Sequence, residues 1–316
     1  MATGGTIANP LEVDGYISGE RLVEEVPEVG EVADMVATDV SSVGSSTMGT
    51  EVWFKLHDEI MSVAESDDPP DGIVVTQGSN SIEETGYFLD LTLDTDIPVT
   101  LAAAQRNHNL IGNDGDRNLL DAVKVASSEE ARGRGALITI NDEIHDARDV
   151  SKIVSGRPDA WSSTNLGVVG LIDKRDNMKF YRETESRDYP DTEFDISDAT
   201  PSDFPNVEVI YSFADAGPEL VEAASEYADG LVIAGFPTGT PSSHPDKRSQ
   251  TDALEECIDD GMPVVMTHRG VEGWPYPDDT YIWGNTLRPQ KAAILLALGL
   301  METSDVDELD RMFHEY

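Results

Sequence analysis

The 316-residue chain carries 62 acidic against 21 basic residues, a formal net charge of -41, and 39% of it is hydrophobic. That charge would repel a phosphate backbone and makes nucleic acid a poor partner. Apolar runs recur along the whole chain and argue against disorder, and the length implies about two domains.

Only seven lysines occur, against fourteen arginines. Spread carboxylates keep a protein hydrated and soluble when salt screens their repulsion. This balance reads as a protein of a salt-filled cytoplasm. Cys257 is the only cysteine, so no intrachain disulfide can form, which fits a reducing compartment. No run of about eighteen apolar residues is present, so no membrane span is expected. No signal peptide is read before the first motif, and a cytoplasmic location is expected.

The chain opens with Thr3-Gly4-Gly5-Thr6. Two glycines permit a tight turn and close backbone approach. A threonine hydroxyl beside them can be a nucleophile if a base is near, and an ordinary glycine turn is the plainer alternative. "GIVVTQGSNS" (72–81) reads as a buried strand entering a polar turn, and "IEETGYFLDLTL" continues as a helix. The spacing Ser81-x-x-Glu84 is that of a capping box. Ser79 then faces a ligand at the carboxyl end of a strand, where open α/β sheets bind ligands. Backbone N–H groups at the coming helix start favour an anion or an oxyanion.

"IPVTLAAA" (97–104) and "ALITIND" (136–142) are further strands. Their continuous apolar character implies a parallel sheet covered on both faces. "NDEIHDARDVSK" (141–152) follows, ending in Lys152, one of few lysines in the chain. A desolvated lysine near a hydroxyl can act as a general base; a surface lysine is the commoner case. His145 reads as structural, since no Ser/His/Asp arrangement surrounds it.

Residues 183–206 hold three prolines and many acids with little periodicity, and a linker is expected at 186–206 between domains 1–185 and 207–316. After it come strands in "VEVIYSF", "GLVIAGF" and "MPVVMTH", with helices in "GPELVEAASEYA", "SQTDALEECIDDG" and "LRPQKAAILLALGL". The last has proline near its start, where proline is tolerated. No cluster has metal-ligand spacing. The glycine motifs of nucleotide sites are absent, so no cofactor is called for.

These stretches together resemble the bacterial and archaeal-type asparaginase family. The family's ATGGTIA stands here as Ala2–Ala8, its HGTDTMEET as Gln77–Thr85, its NDxxxxxRxxxK as Asn141–Lys152. Its GxRP-containing loop resembles residues 102–123, and its LxPQKAR helix resembles "LRPQKAAILLAL". The resemblance spans essentially the whole chain and, with the acidic composition, suggests a haloarchaeal member. It implies a large flavodoxin-like parallel-sheet domain plus a smaller α/β domain, assembled as a homo-oligomer, a dimer or tetramer. By matching position Thr6 is the acylated nucleophile, assisted by Tyr16, with Ser79, Asn80 and Lys152 as a proton relay. Gly5, Ser45, Ser46, Gly78, Ser79, Asn80 and Ala104 are the substrate-binding positions. The implied partner is a small amide, and the implied reaction is hydrolysis of L-asparagine to L-aspartate and ammonia.

Three departures stand out. Ser79 replaces a threonine and keeps the hydroxyl. Gln77 replaces a histidine whose imidazole the chemistry does not need. Asn80 replaces an aspartate that pairs with the substrate α-ammonium, so a charge-assisted bond becomes an ordinary one, a difference of about 1 kcal/mol or more. Two alternatives therefore stay open: an amidase on a related amide lacking the α-ammonium, or an amino-acid-binding paralogue without turnover. The asparaginase-like subunit of the tRNA-dependent amidotransferase is disfavoured by the acidity and the lack of an extra N-terminal domain. Family members also carry several apolar residues before the first motif. Here only Met1 and Ala2 precede Thr3, so a shortened first strand, or a start assigned to an internal methionine, is expected.

At about 1 M salt the Debye length is roughly 3 Å. The melting temperature should therefore climb steadily as salt is raised toward molar concentrations, and a thermal-melt series that stays flat would remove the salt-adapted reading.

Overall fold

The apolar runs form strands, and the amphipathic and buried segments between them form helices. The computed structural model describes residues 1–11, 14–183, 192–276 and 279–316. The strands are β1 Ala2–Gly4, β2 Asp39–Val43, β3 Ile73–Thr76, β4 Val99–Ala102, β5 Leu137–Ile140, β6 Glu143–Asp146, β7 Val150–Lys152, β8 Trp161–Ser163, β9 Gly170–Ile172, β10 Met178–Phe180, β11 Val207–Tyr211, β12 Gly230–Gly235, β13 Val264–His268 and β14 Ile282–Trp283. The helices are α1 Gly19–Glu25, α2 Thr50–Ala64, α3 Ile82–Thr92, α4 Gly115–Ala126, α5 Glu219–Ser225, α6 Gln250–Asp259, α7 Pro289–Glu302 and α8 Val306–Glu315.

Contacts divide the chain into two units, Met1–Glu193 and Phe194–Tyr316. The first holds an eight-stranded sheet in the order β10-β9-β6-β5-β4-β3-β1-β2 and the two-stranded β7–β8 ladder. Strands β1 to β5 pair in parallel, as the continuous apolar runs imply. Beyond β5 the sheet turns antiparallel through β6, β9 and β10. The reason lies at Asn141-Asp142. Both residues take left-handed φ values, 55° and 63°, so they close a two-residue hairpin and return the chain beside β5. The expected strand ending in this pair is thus half of a hairpin, and β6 to β10 have no counterpart in the sequence reading.

Strand β1 is three residues long, yet it joins both neighbours. Ala2 pairs with Thr76 of β3 and with Asp39 of β2. The Thr3 hydroxyl donates to the Thr76 carbonyl at 3.0 Å, and the Ser41 hydroxyl donates to the Thr3 carbonyl at 3.2 Å. Ahead of it the Met1 ammonium donates to the Val74 carbonyl at 2.7 Å, and burial pushes its pKa down to about 6.

Helix α3 is buried all round, from Ile82 to Thr92. Phe88 stacks on Trp53 at 5.3 Å and meets Phe54 at 5.8 Å, so truncating it to alanine would cost about 3–5 kcal/mol. The buried Asp90 carboxylate accepts the Ala136 N–H at 2.6 Å and locks α3 to the start of β5. A second cluster joins Ile7, Leu22, Val29, Leu119 and Val123.

The second unit is a four-stranded parallel sheet, β11-β12-β13-β14. Its helix α6 begins with the Ser249–Asp252 capping box, and Pro289 opens α7. Helix α8 and strand β14 were not read from the sequence. Residues 186–191 of the expected linker lie outside the described ones; within its described part Phe194 and Ile196 are buried, and the Phe194 ring lies 4.9 Å from that of Tyr316.

A charge network holds α4 against two turns. Arg117 reaches Asp121 at 2.9 Å, Asp142 at 3.1 Å and Asp176 at 2.7 Å, while Lys124 reaches Asp176 at 2.7 Å. Asp121 is fully buried, and burial pushes its pKa up to about 6, only partly offset by Arg117 and Lys124. Folding therefore favours the protonated acid. The contribution of Asp121 to stability is full below about pH 4 and is lost as pH rises through about 6. Substituting Asp121→Asn removes this dependence, so the melting temperature of the variant relative to the parent should climb between those pH values. A difference that does not change with pH would mean that the ion pairs, not burial, set the state of Asp121.

Candidate active site

The site is built where three strand ends meet. Gly5 has φ 84° and ψ -176°, a conformation closed to L side chains. A Cβ there would lie 2.2 Å from the Gly78 Cα and N, so the backbone ends of β1 and β3 are in direct contact. Gly78 in turn faces Ser45, where a Cβ would come within 2.7 Å of the serine Cβ. Thr6 follows one of these glycines and Ser79 the other, while Ser45 opens a short 3-10 turn, Ser45–Thr47. The contact of the two glycines thus draws three hydroxyl-bearing segments together.

Of the two threonines in the opening motif, Thr3 is buried and its hydroxyl is committed to the sheet. Thr6 is half-buried at the head of a 3-10 turn, with the Ala8 N–H bonded to the Gly5 carbonyl at 3.0 Å. Tyr16 lies beside both strand ends. A Cβ on Gly44 would start 3.1 Å from its hydroxyl, and one on Gly4 would start 3.0 Å from its ring.

Lys152 ends β7, opposite Trp161 of β8. Its ammonium donates to the Ser79 hydroxyl at 2.8 Å and to the Asn80 side-chain oxygen at 3.1 Å. It also stands 6.0 Å from the Trp161 ring centre. Burial pushes its pKa below the ordinary lysine value, while the Glu83 carboxylate pulls it back up. A lysine so placed can take the proton of a neighbouring hydroxyl. Ser79 is buried and Asn80 exposed.

The expected capping box at the start of α3 does not form. Ser81 occupies the N-cap position, but its side chain makes no cap bond. Its hydroxyl donates instead to the Ser45 carbonyl at 2.8 Å. Donation to this long-range carbonyl and acceptance from the Gln77 amide orient the hydroxyl, and Ser81 becomes a tie between the α3 start and the Ser45 turn. Gln77 supports the same junction. It is fully buried, and its amide donates to Thr85 Oγ1 at 3.0 Å and to Ser81 Oγ at 3.3 Å, while the Trp53 indole donates to the same threonine at 2.9 Å.

Ser46 is exposed on the Ser45 turn, and Ala104 is buried just past β4, packed beside Gly115. In the connection that follows, Asp114 accepts the Gln105 N–H at 2.9 Å and the Arg106 N–H at 2.8 Å. Fully buried His145 is held between Ser163 at 3.0 Å and Glu143 at 3.3 Å, the structural role expected of it. Cavities of about 520 Å³ and 360 Å³ lie elsewhere, one lined by Met1, Val36 and Val74, the other by Trp283, Asp310 and His314. The sequence reading missed Glu83. It is buried at the α3 start with one carboxylate oxygen unpartnered, and its sequence signal was its place within the motif stretch Gln77–Thr85. Among the described residues no cluster of His, Cys, Asp and Glu could hold a metal, and no helix is long and apolar enough to cross a membrane.

Residues 1–186 match the family model "Asparaginase, N-terminal", and residues 206–313 match "Glutaminase/Asparaginase C-terminal domain". The whole chain aligns with 85% of L-asparaginase 2 of Bacillus subtilis at 35% identity. It likewise aligns with 89% of the glutaminase-asparaginase of Pseudomonas fluorescens biotype A at 34% identity. The crystal structure of a probable cytoplasmic L-asparaginase from Campylobacter jejuni superposes with a TM-score of 0.91 at 33% identity, covering the whole of this chain and 98% of that one.

The glycine contact is directly testable. A Gly5→Ala chain must move the β3 end or adopt a strained φ, which should cost roughly 3 kcal/mol or more in denaturant unfolding. A variant as stable as the parent would mean that the two strand ends are not pressed together.

Proposed function

Because the chain belongs to the asparaginase family, we propose that it hydrolyses L-asparagine to L-aspartate and ammonia through a threonine nucleophile. The observation that carries this reading is the bond set of Lys152 with Ser79 and Asn80, one residue past the Gly5–Gly78 contact that also precedes Thr6. Thr6 Oγ attacks the side-chain amide carbon, and its proton passes to the relay. The tetrahedral oxyanion is stabilised by backbone N–H groups. The carbon–nitrogen bond breaks, the nitrogen takes up a proton and leaves as ammonia, and an ester to Thr6 remains. Water, deprotonated by the same relay, cleaves the ester and releases aspartate.

Lys152 is suited to the base role because burial favours its neutral form. Ser79 carries the proton between substrate and Lys152. Tyr16, beside the β1 end, assists Thr6. Ser45 and Ser46 hold the substrate carboxylate, and Gly5, Gly78, Asn80 and Ala104 complete its walls. No cofactor takes part. We read the protein as a homo-oligomer of a salt-adapted cytoplasm, a reading supported by the net charge of -41.

A second reading is favoured by one feature. Asn80 is neutral, and its oxygen is already engaged by Lys152, so the site offers the substrate α-ammonium less than an aspartate would. An amide without that ammonium is the alternative substrate. Ammonia release from asparagine, glutamine and an analogue lacking the α-amino group separates the two. We expect asparagine to be hydrolysed, Thr6→Ala to abolish turnover with the melting temperature preserved, and Asn80→Asp to raise kcat/KM for asparagine more than for the analogue. A tenfold gain corresponds to about 1.4 kcal/mol. Strong residual hydrolysis by a folded Thr6→Ala variant would place the nucleophile elsewhere, and a parent that prefers the analogue would favour the amidase reading.

A further inference from the structure

Resting on the reading of Tyr16 as the group that assists Thr6, we propose that Asn9 and Asn107 are positioning residues: their paired side-chain amides brace the peptide ahead of Tyr16 and hold its phenol beside the end of β1.

Tyr16 lies between two ties. On its C-terminal side the Ile17 N–H donates to the Ala8 carbonyl at 2.8 Å. On its N-terminal side the Asn9 side-chain amide donates to the Gly15 carbonyl at 3.0 Å. The first tie joins backbone to backbone and survives any change of side chain. The second depends on one asparagine. Gly15 is the joint that needs it: its φ is 101°, and nothing stands within 4 Å of where a Cβ would be, so no packing fixes its backbone. The Tyr16 ring packs on the cluster that includes Ile7 and Leu22, and its hydroxyl faces Gly44. A swing about Gly15 would carry both away.

Asn9 is itself held from the connection between β4 and α4. Asn107 Nδ2 donates to Asn9 Oδ1 at 2.7 Å and to the Asn9 carbonyl at 3.2 Å, and the His108 N–H donates to the same carbonyl at 3.3 Å. A carbonyl oxygen can only accept, so Gly15 fixes which end of the Asn9 amide turns toward it. That leaves Oδ1 for Asn107, whose NH2 must face it. The donors thus run one way, from Asn107 through Asn9 to Gly15. Behind Asn107 the connection is tied down in turn. Asp114 accepts the Gln105 and Arg106 N–H groups, Arg106 Nη1 reaches the Gly112 carbonyl at 2.6 Å, and the largely buried His108 ring stands between Glu25 and Asp116.

Every link from Asn107 to Gly15 is neutral, so salt that screens the His108–Glu25 pair leaves the brace in place. A single neutral hydrogen bond adds little to the stability of a fold. Here it sets the fraction of time that the phenol stands beside Thr6, and turnover scales with that fraction. Ser45 and Ser46, which hold the substrate carboxylate, take no part in the brace. Its loss therefore lowers kcat and leaves KM near that of the parent.

The experiment uses Asn107→Ala, Asn9→Asp, Tyr16→Phe and the double variant of Asn107→Ala with Tyr16→Phe, all in the full-length protein. Asn9→Asp keeps the acceptor for Asn107 and removes only the donor to Gly15. Two readouts are taken. One is kcat and KM for asparagine. The other is the rate of Tyr16 nitration by tetranitromethane, followed by peptide mass spectrometry, which needs no turnover. In Asn107→Ala and in Asn9→Asp kcat should fall roughly five- to tenfold, with KM within about twofold of the parent. Tyr16 should be nitrated faster in both, and the melting temperature should stay close to that of the parent. In the double variant kcat should be no lower than in Tyr16→Phe alone, because the brace acts through the phenol hydroxyl. A parental kcat in Asn9→Asp, or losses that multiply in the double variant, would overturn the proposal. Faster nitration with kcat preserved would overturn the positioning role as well. Should Asn107→Ala fail to fold, Asn9→Asp alone decides. A parent that releases no ammonia from asparagine would remove the asparaginase reading, while nitration unchanged in Asn9→Asp would still overturn the brace and faster nitration would uphold it.

Discussion

The contact between Gly5 and Gly78 is the constraint on which the rest of the site depends. Two parallel strands end with their backbones touching, at a distance that a single methyl group would violate. Such an approach costs conformational entropy, since glycine loses most freedom on folding. What it secures is convergence: Thr6 and Ser79 sit on adjacent strand ends, and Ser45 is held against Gly78. The supporting bonds all tighten this junction. Thr3 ties β1 to β3, Ser81 ties the α3 start to the Ser45 turn, and Gln77 fixes Thr85 from beneath. A site made of short polar side chains has little reach, so precision has to come from the backbone.

The neighbouring electrostatics follow from the same geometry. Helix α3 leaves the junction directly into a buried layer, so the acids of its first turn have no route to solvent on every side. Glu83 is buried there and Asp90 is buried a little further along. Asp90 is satisfied by the Ala136 N–H. Glu83 has no such bond at Oε2. In a chain so acidic, most carboxylates lie in solvent and act collectively.

How much of this was legible depended on whether the cause was local. The parallel strands β3 and β4, helix α3 and the proline-opened α7 were readable because apolar runs and helix breakers act within a few residues. The motif residues could be matched by family resemblance, but their meeting could not be read from spacing, since Gly5, Gly78 and Ser45 are dozens of residues apart. Ser81 shows the limit most clearly. Its spacing to Glu84 fits a capping box, yet the hydroxyl finds the Ser45 carbonyl instead, a partner that only the fold supplies. The Asn141-Asp142 turn shows another limit. The pair resembled a strand end leading into a loop, and its left-handed φ values instead reverse the chain and begin an antiparallel extension. Thr3 and Thr6 were equivalent by type; the family resemblance singled out Thr6, and the sheet takes up the Thr3 hydroxyl.

The replacement at position 80 can be weighed against the charge of the whole molecule. Position 80 is exposed. A carboxylate there would act on Lys152 through a path open to solvent, and in molar salt a Debye length of roughly 3 Å leaves it little influence beyond direct contact. An asparagine keeps that direct contact, since its oxygen still accepts from Lys152 at 3.1 Å. The remaining loss is one charge-assisted increment, and it is smallest in the solvent that the composition suggests. A neutral residue can then occupy the exposed place and keep the bond to Lys152.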